Sequence, residues 1–352
     1  MIDTRVAREF VVVDDPRVRQ CHASTLLVAD GRITVAWFGG TAEGTQDNAV
    51  WMAHRAADGS WTAPAVADGD GVIARWNPVL SPAPGGGFRL FLKRGHRISE
   101  WTTWVMRSDD GLAWSRAEPV RADAADAGPV KNPPLAWDGL WLAPASVETA
   151  PPAPRWDAHV DVSSDGGATW RRWPVPFDHG SARGPGLIQP SLWPSPHGVT
   201  LLARSTEGFA YRSHSQDGRH WAPARPTQLP NNNSGLCATA LPGGRVVCAH
   251  NPVSGQWAPR CPLVLSVSDD DGRTWRQRVV LDDGETLLEG RPARRPSREG
   301  TIEGRDDGVI TDGVGEYSYP TLVVAGDEVL VTYTWQRRGI VLARVPLEAV
   351  SG

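Results

Sequence analysis

Ser163-Ser164-Asp165-Gly166-Gly167-Ala168-Thr169-Trp170 and Ser268-Asp269-Asp270-Asp271-Gly272-Arg273-Thr274-Trp275 share the pattern Ser-x-Asp-x-Gly-x-Thr-Trp without a gap. Ser108-Asp109-Asp110-Gly111-Leu112-Ala113-Trp114 and Ser215-Gln216-Asp217-Gly218-Arg219-His220-Trp221 are one residue shorter, and Asp58-Gly59-Ser60-Trp61 is a degenerate fifth copy. The tryptophans stand at 61, 114, 170, 221 and 275, so the steps are 53, 56, 51 and 54 residues. A repeat of about 50 residues made of short strands is one four-stranded propeller blade. Each part of the box is a folding part. Asp-Gly makes a tight turn, the Ser and Asp side chains bond the turn backbone, and Trp buries a large ring.

Working outward, the chain is punctuated rather than helical. It has 37 Gly and 30 Pro among 352 residues, together about 19%, below the roughly 25–30% that signals disorder. Short Val-, Leu- and Trp-rich runs lie between turn pairs such as Asp30-Gly31 and Gly243-Gly244. Examples are Ser24–Val28, Ile33–Phe38, Arg89–Leu92, Val199–Ala203, Arg245–Ala249 and Val329–Thr334. Five boxes plus a last unit without one, holding the runs Tyr319–Val324, Glu328–Tyr333 and Ile340–Val345, predict an all-β, six-bladed propeller over residues 1–352. Glu9–Val13 is expected to close the ring by pairing into the last blade. The polar segment 284–314 breaks the pattern and reads as a long inserted loop. Ile302-Glu303-Gly304-Arg305 within it is also a protease-recognition string, but its mid-chain position reads as native.

Charge bounds the function. Thirty-six basic and 40 acidic residues leave a net charge of −4, which argues against a nucleic-acid-binding surface. No apolar run reaches the roughly 18 residues of a membrane helix. The start, Met1-Ile2-Asp3-Thr4-Arg5, lacks an apolar signal core, so the cytoplasm is the expected setting. Cys21, Cys237, Cys248 and Cys261 have no C-x-x-C spacing and read as free buried thiols. No metal-ligand spacing, phosphate loop or G-x-S-x-G elbow is present, so neither metal nor cofactor is expected.

The boxes resemble the Asp-boxes (BNR repeats) of the sialidase superfamily, whose members are six-bladed propellers. Asp-boxes also occur in propellers without activity. Trp76-Asn77-Pro78, Gly128-Pro129-Val130-Lys131-Asn132, Gln189-Pro190-Ser191, Asn233-Ser234-Gly235 and Glu316-Tyr317-Ser318-Tyr319-Pro320 look like its sialidase-like, predicted-neuraminidase branch. Sialidases clamp a sugar carboxylate with three Arg, use a Tyr nucleophile activated by a Glu, and an Asp acid/base. The resemblance puts Asp47 at the acid/base, Tyr319 at the nucleophile, and Arg204 and Arg260 at the second and third clamp positions. It puts His22 at the first clamp position and Gln189 where the Glu stands. Both depart: His22 clamps a carboxylate less well than a bidentate Arg, and Gln189 cannot act as a base.

Other candidates come from position. Glu43 shares the Gly-rich loop of Asp47. Glu148, at a strand end, is a spare candidate for the missing base, and Lys131-Asn132 also stands at a strand end. Tyr317 lies two residues from Tyr319, on the same face of a regular strand. Trp76 and Trp335 are possible sugar-stacking platforms. His159 and His250 end short strands, and Arg94, Arg337 and Arg338 compete with Arg260. Three functions follow: an exo-acting hydrolase on a small acidic sugar in the central funnel, a uronate-type lyase on the same scaffold, or a carbohydrate-binding propeller without catalysis. The implied partner is a small carbohydrate, with no nucleic acid and no membrane.

Overall fold

The computed structural model describes residues 2–284, 288 and 315–351. The inserted loop read at 284–314 therefore lies, apart from Gly284 and Leu288, outside the described residues.

Among these are six four-stranded antiparallel sheets arranged as the blades of a propeller. The first four strands after the N-terminus, Gln20–Ala29, Arg32–Gly40, Ala49–Arg55 and Ala65–Asp68, form blade one. Blades two to five follow in chain order, starting at Arg75–Pro82, Leu135–Trp137, Leu187–Ser195 and Cys237–Ala240. Blade six comprises Tyr317–Ala325, Glu328–Trp335 and Gly339–Pro346, and its outermost strand is Ala7–Val13, paired antiparallel to Gly339–Pro346. The expected closure by the N-terminal strand is thus present. The innermost strands touch around the ring: Gln20–Ala29 meets Arg75–Pro82 on one side and Tyr317–Ala325 on the other.

The boxes explain the stacking of blades. Asp270 accepts from Thr274 N at 2.8 Å, Thr274 Oγ1 at 2.7 Å and Ser268 Oγ at 2.8 Å; Asp165 makes the same set. The turn so locked sends its Trp into the apolar layer shared with the preceding blade. Trp170 packs with Phe91 and Val105 of blade two, Trp221 with Leu142 and Val160 of blade three, and Trp275 with Trp193 and Leu202 of blade four. The four cysteines are free and buried.

Four inner strands carry a bulge at the same place. Register slips between His22 and Thr25, Trp76 and Val79, Ile188 and Ser191, and Ser318 and Thr321. Within each slip one residue has a left-handed backbone: Ala23 (φ 53°), Asn77 (35°), Gln189 (53°) and Tyr319 (52°). Proline follows three of them. It has no N–H for the ladder, so a bulge is where an inner strand tolerates it. A bulge breaks the two-residue alternation of a strand and re-aims the side chain it carries.

Candidate active site

The bulges of blades four and six bring Gln189 and Tyr319 together across the ring centre. Arg204, near the end of Gly198–Ser205, donates from Nη1 to Tyr319 Oη at 2.6 Å and to Gln189 Oε1 at 3.1 Å. That second bond orients the amide, so Gln189 Nε2 also donates to Tyr319 Oη, at 3.2 Å. Arg204 Nε donates to Asn233 Oδ1 at 2.8 Å. Two donors, one of them cationic, therefore converge on a single phenol oxygen, an arrangement that stabilises negative charge there. Tyr319 sits at positive φ, unfavourable for a bulky side chain and concentrated at functional sites.

The Arg204 guanidinium lies 5.4 Å from the Trp156 ring, 5.5 Å from Trp257 and 5.8 Å from Tyr319. It forms no ion pair with a described residue, and its Nη2 makes no hydrogen bond to one. A buried cation held by neutral partners and aromatic faces is a place for an anionic ligand. The second clamp candidate differs. Arg260 Nη1 donates to Glu316 Oε1 at 2.7 Å, and Arg337 Nε reaches the same carboxylate at 3.0 Å. Arg337 Nη1 then donates to Glu43 Oε2 at 2.6 Å. This chain of charges links blades five, six and one. Burial alone would raise the Glu316 pKa, but the guanidiniums of Arg337 and Arg260 outweigh it and hold the carboxyl at about 2. Arg260 still lies 5.6 Å from the Tyr319 ring, so it borders the site with one arm tied.

The remaining candidates fall elsewhere. His22 packs on the Tyr319 ring, centroids 4.2 Å apart, and its Nδ1 is 2.8 Å from Thr334 Oγ1; it buttresses the tyrosine. Tyr317 is not on the face of Tyr319, because the bulge intervenes. It enters the apolar layer between blades five and six, where its hydroxyl accepts from Gln336 Nε2 at 2.9 Å. Trp76 is 6% exposed, donates to Gly95 O at 2.9 Å and packs on Phe38 and Trp101, a core wedge and not an open platform. Lys131 is buried; its ammonium donates to Asn132 Oδ1, Leu236 O and Pro320 O, pinning blades three, five and six together. Glu43 is tied to Arg337. Asp47 is exposed, and its carboxylate accepts from Thr41 N at 2.8 Å, Thr41 Oγ1 at 2.7 Å and Thr45 Oγ1. Partial burial would raise its pKa, but these bonds lower it. His159 lies 3.3 Å from Asp161 and His250 2.9 Å from Ser266, both away from the tyrosine. Trp335 packs in the core.

Glu148 is half-buried, and its carboxyl makes no hydrogen bond or ion pair with a described residue. Burial pushes its pKa up to about 7, with Arg204 opposing and Glu43 adding. Sequence reasoning missed Asn233, Trp156, Trp257 and the Glu316–Arg337 link. Asn233 and Glu316 lay inside stretches singled out as family-like; the two tryptophans carried no signal among 17.

A six-bladed propeller with an arginine, an amide and a tyrosine meeting at the ring centre is thus the class of molecule. The chain belongs to the BNR repeat-like domain family, which it matches over residues 31–331. Solved structures of the same fold include the following three. A Dyadobacter fermentans protein of unknown function has a TM-score of 0.71 at 15% identity, covering 97% of this chain and 99% of that one. NanB sialidase from Streptococcus pneumoniae has 0.69 at 10% identity, covering 97% and 71%. Trypanosoma rangeli sialidase has 0.67 at 12% identity; the match takes in 97% of this chain and 60% of that longer protein. The likeness is one of fold, and at that level the sialidase-type resemblance holds. No curated protein matches the chain by sequence. Among the described residues no helix is long and apolar enough to cross a membrane.

Proposed function

We propose that this protein is an exo-acting glycoside hydrolase of sialidase-like type, acting on a small acidic sugar held at the ring centre. The whole chain, residues 1–352, works as one domain in this reading. The observation that carries it is the pair of donors, Arg204 and Gln189, aimed at the strained Tyr319. The free arm of Arg204 takes the sugar carboxylate, with Arg260 beside it. Tyr319 Oη, held in place by the two donors, faces the anomeric carbon, either as nucleophile, its proton passing to water as the bond forms, or as a stabiliser of the positive charge that develops there. Gln189 holds the phenol but takes no proton from it. The family resemblance would put the acid/base at Asp47, but Thr41 and Thr45 already bond its oxygens, so that role is left open in this reading. The four reduced cysteines suit a cytoplasmic setting.

A second reading is a uronate-type lyase. The geometry around Tyr319 Oη is compatible with it: the oxygen, held by Arg204 and Gln189, would be the base that removes a proton beside a carboxylate held by Arg204. Incubation with a panel of uronic and nonulosonic acid glycosides tests both. Release of reducing sugar without ultraviolet absorbance supports the hydrolase, and an absorbing unsaturated product supports the lyase. Binding of the glycosides without turnover of any would leave a carbohydrate-binding propeller and sink the enzymatic reading.

A further inference from the structure

Between blades two and three lies a cavity of about 640 Å³, within the range of small-molecule pockets. Lys93, Trp101, Asp126, Ser146, Glu148 and Arg172 are among its lining residues. One wall is shared with the site at the ring centre. Ser146 Oγ accepts from Gln189 N at 3.2 Å. Glu148 is the last residue of Leu140–Glu148 and sits opposite Trp156 in the ladder. Such partners point to the same face, and the Trp156 ring lies beside Arg204. Glu148 therefore stands at the junction of the cavity and the Arg204–Tyr319 cluster.

The cavity's other charges are consumed. Lys93 Nζ donates to Thr103 Oγ1 at 2.6 Å and to Asp126 O at 2.7 Å, and Arg172 pairs with Asp126 at 3.0 Å. Glu100 lies on the exposed rim. What remains toward the cavity is Ser146, Thr149, Trp101 and one carboxyl without a partner among the described residues. That surface suits a neutral, hydroxylated ring. A half-buried carboxyl left unpaired is not explained by packing.

We propose that this cavity holds a second sugar unit, the leaving group of the substrate, and that Glu148 is the acid–base group at the junction. The inference rests on the hydrolase reading and deepens it. The Glu148 carboxyl gives its proton to the glycosidic oxygen as the bond to the anomeric carbon breaks, and the alcohol departs into the cavity. Water then adds to the anomeric carbon and gives a proton to the Glu148 carboxylate; where Tyr319 Oη has bonded that carbon, this bond breaks in the same step and the phenol regains its proton from solvent, so the enzyme is restored and one water is consumed per bond. Asp47 is less suited: it is exposed and its oxygens are already bonded to Thr41 and Thr45.

The test compares Glu148→Gln with wild type on two kinds of probe: methylumbelliferyl glycosides of N-acetylneuraminic and glucuronic acids, whose leaving group departs without a proton, and the same sugars linked to galactose. Folding is checked by thermal melting. The expected result is a loss of about a hundredfold or more in kcat/KM on the galactosides, less than about tenfold on the aryl glycosides, and disappearance of the alkaline limb near pH 7. Burial sets that limb, with Arg204 opposing and Glu43 adding; the other charged groups around the cavity are Lys93, Glu100, Asp126 and Arg172. Ala150→Trp, which narrows the cavity, should raise KM for the galactosides alone. Equal loss on both probes, or none, overturns the assignment while a turning-over wild type keeps the hydrolase. If wild type cleaves neither probe, the hydrolase reading fails, and calorimetry decides the cavity separately. There, galactose-extended ligands that bind no tighter than the single sugars overturn it.

Discussion

Replacing Tyr319 by phenylalanine removes one oxygen and leaves the ring against His22, 4.2 Å between centroids. Arg204 Nη1 loses its 2.6 Å acceptor but keeps Gln189 Oε1 at 3.1 Å. Gln189 Nε2 loses its 3.2 Å acceptor and is left a buried donor. An orphaned buried donor costs about 1–3 kcal/mol and a charge-assisted bond contributes about 1.5–3 kcal/mol, while burial of the phenol hydroxyl no longer has to be offset. The balance is a loss of about 2 kcal/mol. Unfolding entropy of about 2.1 cal/mol/K per residue, over 352 residues, converts this to a fall in Tm of about 3 °C. Turnover of the best glycoside should drop about a thousandfold, with KM for the sugar nearly unchanged, because Arg204 still meets the carboxylate. Scanning calorimetry and initial rates read both quantities. A variant retaining more than about a tenth of wild-type turnover would refute the placement of the reacting oxygen at Tyr319.

Glu316 gives a pH prediction. Its carboxyl is held at about 2 in the folded chain, below the ordinary value, so its stabilising contribution is complete above about pH 4.5 and is lost as pH falls toward 2. Urea unfolding should show wild type losing on the order of 3 kcal/mol across that window, with Glu316→Gln flatter there and already weaker at neutral pH; parallel curves would contradict the reading. Glu148 works with the opposite sign: its raised folded value makes stability fall as pH rises from about 4.5 to about 7. Glu148→Gln should therefore melt higher than wild type near pH 8 and level with it near pH 4, which differential scanning fluorimetry would show. Asp270→Ala removes the bonds to Thr274 and Ser268 and should cost about 1–2 kcal/mol with activity unchanged; a fall in kcat of about threefold or more would mean the box is more than a turn lock.

The architecture was legible because the boxes repeat at blade spacing and each carries its own turn chemistry. Even the closing strand could be read, since Glu9–Val13 has no partner nearby in the chain. Gln189, Arg204 and Tyr319 were named through the family resemblance, and the structure brings the three side chains together; the bulges that aim two of them were not read from the sequence. What alternation could not say is which way a bulged residue faces. Tyr317 and Tyr319 look equivalent on a regular strand, yet one lies in the core and the other meets Arg204. The Arg260–Glu316–Arg337–Glu43 chain was hidden for another reason: it depends on ring closure, which brings blade one beside blade six. Asp47 resembled an acid by position, but its neighbours Thr41 and Thr45 take its oxygens.

The strand Ala7–Val13 pairs with Gly339–Pro346, so during synthesis it waits for a strand made far later in the chain. At about 5–20 residues per second, translation keeps it without its partner for roughly 20–70 s. During that time it is an open β edge, of the kind that invites pairing with a second nascent chain. Expression at reduced temperature or with chaperone support, and fusion partners placed at the C-terminal end, suit this order of events. A bulky N-terminal fusion instead burdens the strand that must still find its place.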